Sequence, residues 1–345
     1  MVKWLRRLFA RLLEWLAQLL RRPPRRPNRG MFAVTEIPTL GGTFSSAHDI
    51  NDRGVVVGAA AVAHGTSHAY SWDAGTMFDL VGFPGPNQSH AFAINGAGHI
   101  GGQSQLPPNG LYTHAYVTPP HTVIDPAHDI GTVGGDNSCT LDLSVDFISV
   151  GWADDSNGNM HAFYRMIAGP MYDLTPALLG TSSAEAIDSA DNVVGWAVGA
   201  AGIVAFRWNH SGGMVSLLPP GATSSRAFGI RTSGRIVVGD ADFGGGAHAV
   251  VWNAANVATD LGTLGGTTSV AYDINTANEI VGASDVPGGG RHAFITTVAG
   301  PMIDLNTLIP ANSGWVLTEA RALNAHGQIV GNGTFNGQRR GFLLT

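Results

Sequence analysis

TSVAYDINTANEIVGASDVPGGGRHAFITTVAGPMIDLNTL, residues 268–308, falls into four short runs once its turn residues are marked. TSVAYDIN alternates in polarity and ends at a Thr-Ala-Asn turn, and EIVGASD follows and ends at a Pro-Gly-Gly-Gly loop. RHAFITT is the third run, and PMIDLNTL the fourth, after Ala-Gly. Short runs rich in Val, Ile, Thr and aromatics, bounded by Gly, Asn, Asp and Pro, predict a four-stranded antiparallel meander. One meander with a single apolar face is marginal in water, so the unit must stack on copies of itself.

Those copies run along the chain. Each has a small residue, an apolar residue, Asn or Asp, turn residues, β-branched residues and Gly. The core reads AHDINDRGVVVG at 47–58, AFAINGAGHIGG at 91–102, LDLSVDFISVG at 141–151 and AEAIDSADNVVG at 184–195. It returns as AFGIRTSGRIVVG at 227–239, AYDINTANEIVG at 271–282 and ARALNAHGQIVG at 320–331. Copies are spaced about 43 to 50 residues apart, and seven in the 315 residues after position 30 gives 45 each. Radial stacking of four-stranded sheets makes a β-propeller. The expected fold is therefore all-β: a seven-bladed β-propeller of four-stranded antiparallel blades over residues 31–345.

The two ends predict how the ring closes. The seventh copy stops at GQRRGFLLT, after its third strand, while AVTEIPTLGG at 33–42 matches the fourth-strand segment NVATDLGTLGG at 256–266. The segment near Phe32–Ile37 should therefore pair with the last strand, which removes two exposed edges. An open solenoid, the rival, would need caps at both ends.

Composition narrows the classes. The 345 residues are 44% hydrophobic and 13% charged, with 47 Gly and one Cys. A single Cys139 excludes an intrachain disulfide and a Cys-based zinc cluster. So little charge is not coiled-coil makeup, and so much apolar content is not that of a disordered chain. The net charge of −6 conceals a split: residues 1–30 hold nine of the 19 Lys+Arg and one acid, which is +8, and the rest hold ten basic and 24 acidic side chains, which is −14.

His-Ala-Phe/Tyr in the third strand, with LGGT-x-S-x-A-x-x-IN before it and M-x-DLGTLGG after it, resembles the HAF-type extracellular repeat family of bacterial proteins. His68-Ala69-Tyr70, His114-Ala115-Tyr116, His161-Ala162-Phe163 and His292-Ala293-Phe294 carry the signature. His248-Ala249-Val250 varies it, and Val204-Ala205-Phe206 and Arg340-Gly341-Phe342 depart from it. The resemblance spans roughly residues 33–345. It implies a propeller-like fold and a cell-envelope or extracellular setting, and it brings no shared catalytic residue.

Asp49 precedes His68 by 19 residues, Asp142 precedes His161 by 19 and Asp273 precedes His292 by 19. Ala186 goes with Val204 and Ala322 with Arg340, so there the two residues are lost together, while Ala93 with His114 and Gly229 with His248 break the pairing. This predicts structural Asp–His pairs across the first and third strands of a blade. A metal reading would need these histidines to converge on one point, and no metal is expected. Cys139 reads as a core residue. Asp154-Asp155-Ser156-Asn157-Gly158-Asn159 reads as a hairpin turn rather than a calcium loop, lacking the full spacing and distant Glu. Trp72, Trp208 and Trp252 recur after the third-strand aromatic and read as blade packing, with sugar platforms as the alternative.

Residues 4–20, WLRRLFARLLEWLAQLL, set apolar and basic side chains at the 3.6-residue period of an amphipathic helix. The expected organisation is a basic helix over 1–22, a Pro/Arg linker over 23–30 and then the propeller. A transmembrane span fails because Arg6, Arg7, Arg11 and Glu14 interrupt a short stretch. A secretory signal fits badly, with charges in the apolar region and no clear cleavage site. An interfacial helix fits best: Trp4, Leu5, Leu8, Phe9, Leu12, Leu16 and Leu19 would lie among acyl chains while Arg6, Arg7 and Arg11 reach anionic headgroups. The alternative is docking on a protein groove of a partner or of the propeller, with a homo-oligomer or larger assembly as a further possibility. Nucleic acid is not an expected partner, because a −14 body repels phosphate.

No GxSxG elbow, HExxH pair or phosphate-binding loop is present, so the common hydrolase and nucleotide motifs give no support to catalysis. The leading expectation is a non-catalytic binding or scaffold propeller without cofactors, tethered through residues 1–22. The alternative is an enzyme or carbohydrate-binding module acting through the central funnel, and the side chains lining the axis discriminate between them.

Overall fold

Each repeat lays its alternating pattern onto an antiparallel sheet of four strands, and the chain forms seven such sheets. The computed structural model describes residues 31–345 except 86–87, 109, 168, 176–179, 201 and 232–234. The first strands of blades 1 to 7 are Gly41–Ile50, Ser89–Ile94, Gly134–Leu143, Ser182–Ile187, Ser224–Arg231, Ser269–Ile274 and Trp315–Leu323. They are the innermost strands, each touching its neighbours around the ring, with blade 7 meeting blade 1. In blades 1 to 6 the next three strands follow outward in chain order.

Blade 7 is closed by the start of the described chain. Val34–Ile37 forms its outermost strand, with Val34 opposite Leu344 and Ile37 opposite Gly341. Ala33 and Thr345 extend the ladder with two backbone hydrogen bonds of 3.0 and 3.1 Å. Across the seam, the Ala47 N–H of blade 1 donates to Asn332 Oδ1 of blade 7 at 2.9 Å. The propeller is a closed ring, and the open solenoid is excluded.

One irregularity recurs in all seven blades. The pairing of the first and second strands slips by one residue beside the small residue of the repeat. The slips leave His48, Phe92, Leu141, Glu185, Phe228, Tyr272 and Arg321 without a partner across the ladder. A bulge of this kind bends the strand and re-aims the extra side chain. Facing the bulges stand Gly58, Gly102, Gly151, Gly195, Gly239, Gly282 and Gly331, and a Cβ on any of them would lie 1.9–2.0 Å from a first-strand carbonyl oxygen. These glycines are required by close approach of backbone, not by a left-handed φ.

The blades are joined by a second repeated device. Ser89 of blade 2 accepts the Ala69 N–H of blade 1 at 2.8 Å and donates to the Val81 carbonyl. Ser138 repeats this with Ala115 N–H (2.8 Å) and the Gly131 carbonyl (2.6 Å), and Ser269 with Ala249 N–H (2.7 Å) and the Gly262 carbonyl (2.6 Å). Ser182, Ser225 and Ser45 accept from Ala162, Ala205 and Gly341. Where Thr318 stands instead, at the joint between blades 6 and 7, Asn306 bonds both the N–H and the C=O of Leu317. The Ala of His-Ala-Phe/Tyr is fully buried, and in blades 1, 2 and 3 the serine of the next blade accepts its N–H. The aromatic that follows, as in Tyr70, Tyr116, Phe163 and Phe294, fills the space between blades.

The steric account separates two substitutions. Gly239→Ala drives a Cβ into the Arg226 carbonyl and should cost about 2 kcal/mol or more. Gly199→Ala meets nothing within 4 Å and should shift stability by less than about 0.5 kcal/mol. Urea unfolding compares them, and equal midpoints would refute the account.

Candidate functional site

The seven bulge residues meet again at the axis. His48, Phe92, Leu141, Glu185, Phe228, Tyr272 and Arg321, one from each blade, line a single cavity of about 240 Å³. By liquid volume that is room for roughly eight water molecules. Each lining residue is half-buried, whereas the small residue before it is buried in every blade. The frame is nearly uniform: the preceding residue is Ala in six copies and Thr140 in one, and the second residue after is always Ile or Leu. Within that frame the bulge position carries six different side chains in seven copies. The sequence pattern held this signal, since this position takes six side chains while the residue before it is Ala or Thr and the residue after it Asp, Ala or Gly.

The lining has fixed internal contacts. His48 Nδ1 lies 2.8 Å from the Ala91 carbonyl, so that nitrogen carries the proton and Nε2 is left as an acceptor. Burial pushes the His48 pKa down to about 4, so the ring is neutral at pH 7, and it stacks on Phe92 at 4.9 Å and 8°. Glu185 Oε1 accepts the Trp196 indole N–H at 2.8 Å, and burial raises its carboxyl pKa. The Arg321 guanidinium lies 4.4 Å over the Tyr272 ring, and its Nε is 3.2 Å from Glu319 Oε1. Arg226 sits 5.7 Å over Phe228 and pairs with Asp240, Nη2 to Oδ2 at 2.9 Å. The bore therefore offers aromatic faces with an acid on blade 4 and a base on blade 7.

The expected pairing of Asp49, Asp142 and Asp273 with His68, His161 and His292 is corrected. Those aspartates stand on the innermost strands and bond backbone instead. Asp49 accepts from Ile50 and from Ile94 of blade 2, Asp142 from Leu143 and Ile187 of blade 4, and Asp273 from Ile274 and Leu323 of blade 7. Each carboxylate ties its blade to the next. Desolvation and then mutual repulsion raise Asp49 to about 8, and desolvation raises Asp142 to about 6 and Asp273 above the usual range. They occupy blades 1, 3 and 6, and three is the most that a ring of seven holds without placing two on neighbouring blades.

The histidines take their acid from the fourth strand. His68 bonds Asp79 (3.0 Å), His114 Asp129 (2.8 Å), His161 Asp173 (2.7 Å), His248 Asp260 (2.9 Å) and His292 Asp304 (2.6 Å). Where Val204 replaces the His, Ser216 stands at the Asp position, and where Arg340 does, Glu36 pairs with it at 2.6 Å. Each Asp also accepts the N–H two residues on, as Asp79 does from Val81 and Asp173 from Thr175, so it caps the turn that leaves the blade. These pairs are structural and lie outside the bore. The signal was the Asp of the DLGTLGG segment.

Cys139 is buried, and burial raises its thiol well above the ordinary value. Asp155 accepts from the N–H groups of Asn157 and Asn159, and these bonds hold its carboxyl down at about 2, so the segment is a turn. Trp72 and Trp252 are packed in blade cores, and Trp208 lies against Tyr164 at 5.3 Å with the rings tilted by 52°. Among the described residues no three His, Cys, Asp or Glu side chains are grouped to hold a metal ion. Trp4, Leu5, Arg6, Arg7, Leu8, Phe9, Arg11, Leu12, Leu16 and Leu19 lie outside the described residues.

Asp49 makes stability pH-dependent with a definite sign. Its folded pKa of about 8 exceeds the unfolded value near 3.9, so its contribution is present at low pH and lost as pH rises through that window. His48, lowered to about 4, adds stability up to about pH 6.5 and nothing beyond. Between pH 6.5 and 8 stability should therefore fall by about 1–2 kcal/mol, and Asp49→Asn should flatten that slope. Urea midpoints across this range decide, and an equal slope in the variant would remove the assignment.

No protein-family model and no curated protein matches the chain. Among solved structures, TolB from Acinetobacter baumannii is similar at 12% identity and TM-score 0.49, over 68% of this chain and 58% of that one. A puromycin hydrolase mutant is similar at 11% identity and TM-score 0.51, over 80% of this chain and 45% of that one. The BP39L lectin from Burkholderia pseudomallei is similar at 8% identity and TM-score 0.46, over 90% of this chain and 98% of that one. The chain spans little more than half of the TolB structure and less than half of the hydrolase structure. At these identities the likeness concerns fold alone.

Proposed function

We propose that this chain is a non-catalytic binding propeller whose ligand enters the axial bore. One observation carries the reading: on the innermost strand, between a small residue and an Ile or Leu that recur in every copy, the position that the bulge turns to the axis holds six different side chains in seven copies. A purely architectural channel would repeat one small or apolar side chain there, as the preceding position does with Ala in six copies. Instead the lining mixes Phe92, Phe228, Tyr272 and Leu141 with Glu185, Arg321 and a neutral His48, which is the composition of a ligand pocket: apolar walls with a few polar groups.

Two further parts of the proposal rest on the sequence. The HAF-type repeat resemblance favours a cell-envelope or extracellular setting. The amphipathic period of residues 4–20 and its arginines favour attachment to a membrane surface, with a protein groove as the alternative. Salt-sensitive co-sedimentation with anionic vesicles by the full chain, and none by a chain lacking residues 1–30, is the expected result. Equal sedimentation of the two would refute the tether.

For the bore, Leu141→Trp should fill the cavity without unfolding the ring, because Leu141 is half-buried at the axis. Small molecules found by ligand-observed NMR should bind the natural chain and the control Val215→Trp on an exposed outer strand, and lose binding in Leu141→Trp. Binders indifferent to Leu141→Trp would move the site elsewhere.

A further inference from the structure

The charges around the bore are not equally satisfied. Arg226 is held by Asp240 through two contacts, at 2.9 and 3.3 Å. Glu319 is held by Asn332 at 2.9 Å and by Arg321 Nε at 3.2 Å. Glu185 has the Trp196 indole N–H on one oxygen, and among the described residues no cation forms an ion pair with it. The Nη groups of Arg321 have no hydrogen bond among the described residues, while the flat face of the same guanidinium rests on Tyr272. Blades 4 and 7, which supply this acid and this base, stand three apart in a ring of seven and so nearly face each other across the axis. Phe228 and Tyr272 form one wall between them, and His48, Phe92 and Leu141 the other.

We infer that the bore recognises a small zwitterion with an apolar body, an α-amino acid by chemical class, with its carboxylate on the Nη edge of Arg321 and its ammonium on Glu185. This rests on the reading of the bore as the ligand site and narrows it. Glu319 meets only the Nε edge of Arg321, and Glu185 feels Arg321 and Arg226 only at longer range, so the preferred ligand adds a direct partner to the Nη edge and to the carboxylate. A simple anion would meet Glu185 and Glu319, and a simple cation would meet Arg321. A neutral ligand would fill the space and add no counter-charge to the Nη edge of Arg321 or to Glu185. The zwitterion alone matches the lining, and the aromatic walls take its side chain. His48 Nε2, the unprotonated nitrogen of a neutral ring, adds an acceptor on the wall.

The test is calorimetric titration of the full chain with the twenty standard amino acids and with two one-charge analogues of each binder, its amide and its N-acetyl derivative. At least one apolar or aromatic amino acid should bind, and each analogue should bind roughly tenfold more weakly, as expected for the loss of one charge-assisted contact. Arg321→Gln should erase the preference over the amide and keep the preference over the N-acetyl form, Glu185→Gln should do the reverse, and Arg321→Lys should restore part of the first. Circular dichroism verifies that each variant is folded. Binding of an analogue as tightly as the amino acid, or preferences unchanged in both variants, overturns the assignment. So does the absence of binding by all twenty. If other small molecules still bind in a manner lost in Leu141→Trp, the bore remains the site and only the zwitterion is refuted; if none does, both fall.

Discussion

A backbone carbonyl of each first strand lies where a side chain on the facing glycine would have to be, about 2 Å from the missing Cβ. That contact fixes the bulge, and the rest of the site follows from it. With the glycine in place, the first strand gains one residue over its partner and turns that residue out of the ladder. Repeated seven times around a closed ring, the same local geometry delivers seven side chains to one axis. The repeat is thus a mounting whose frame is held constant and whose mounted residue is free to change. Stability and specificity are assigned to different positions of one short motif, which is how a repeat architecture can alter its ligand without altering its packing.

The joints between blades use small, directional groups rather than bulk. A serine hydroxyl bridges an alanine N–H and a carbonyl of the preceding blade, and at three joints a carboxylate accepts one backbone N–H of the next blade. Leaving these buried N–H groups unpaired would cost about 1–3 kcal/mol each. Carboxylates cannot serve at every joint, because buried like charges repel, and Ala93, Ala186, Gly229 and Ala322 take the position in the other blades. The outer His–Asp pairs act at a different radius. They bind the third strand to the fourth and cap the turn to the next blade, and the Arg340–Glu36 pair joins the third strand of blade 7 to the strand that closes the ring.

Much of this was legible in the residues. Runs bounded by Gly, Asn and Pro gave the strands, the 43 to 50 residue spacing gave the blade count, and AVTEIPTLGG gave the closing strand. The pairing of Asp49 with His68 was misread because the stretch from first to third strand has the same length in those three copies, so the shared spacing of 19 reports the repeat and cannot say which pair touches. Asp79 and its equivalents stand 11 to 15 residues after their histidines, and the replacement of that Asp by Ser216 and Glu36 follows Val204 and Arg340 more faithfully. The bore lining was missed for a related reason. Reading the repeat by what stays constant discards His48, Glu185 and Arg321, and only the bulge reveals that these three share a cavity.

The claim on which this account stands is that the bulge sends the variable residue to the open axis and its neighbour into the core. Thiol labelling of Leu141→Cys and of Thr140→Cys, each in a Cys139→Ala background, measures this at adjacent positions of one strand. A small methanethiosulfonate reagent should modify the thiol at position 141 in the folded protein at least about a hundredfold faster than that at position 140, where access requires opening of the blade. Equal rates, or faster reaction at 140, would mean that the bulge does not steer the chain as described.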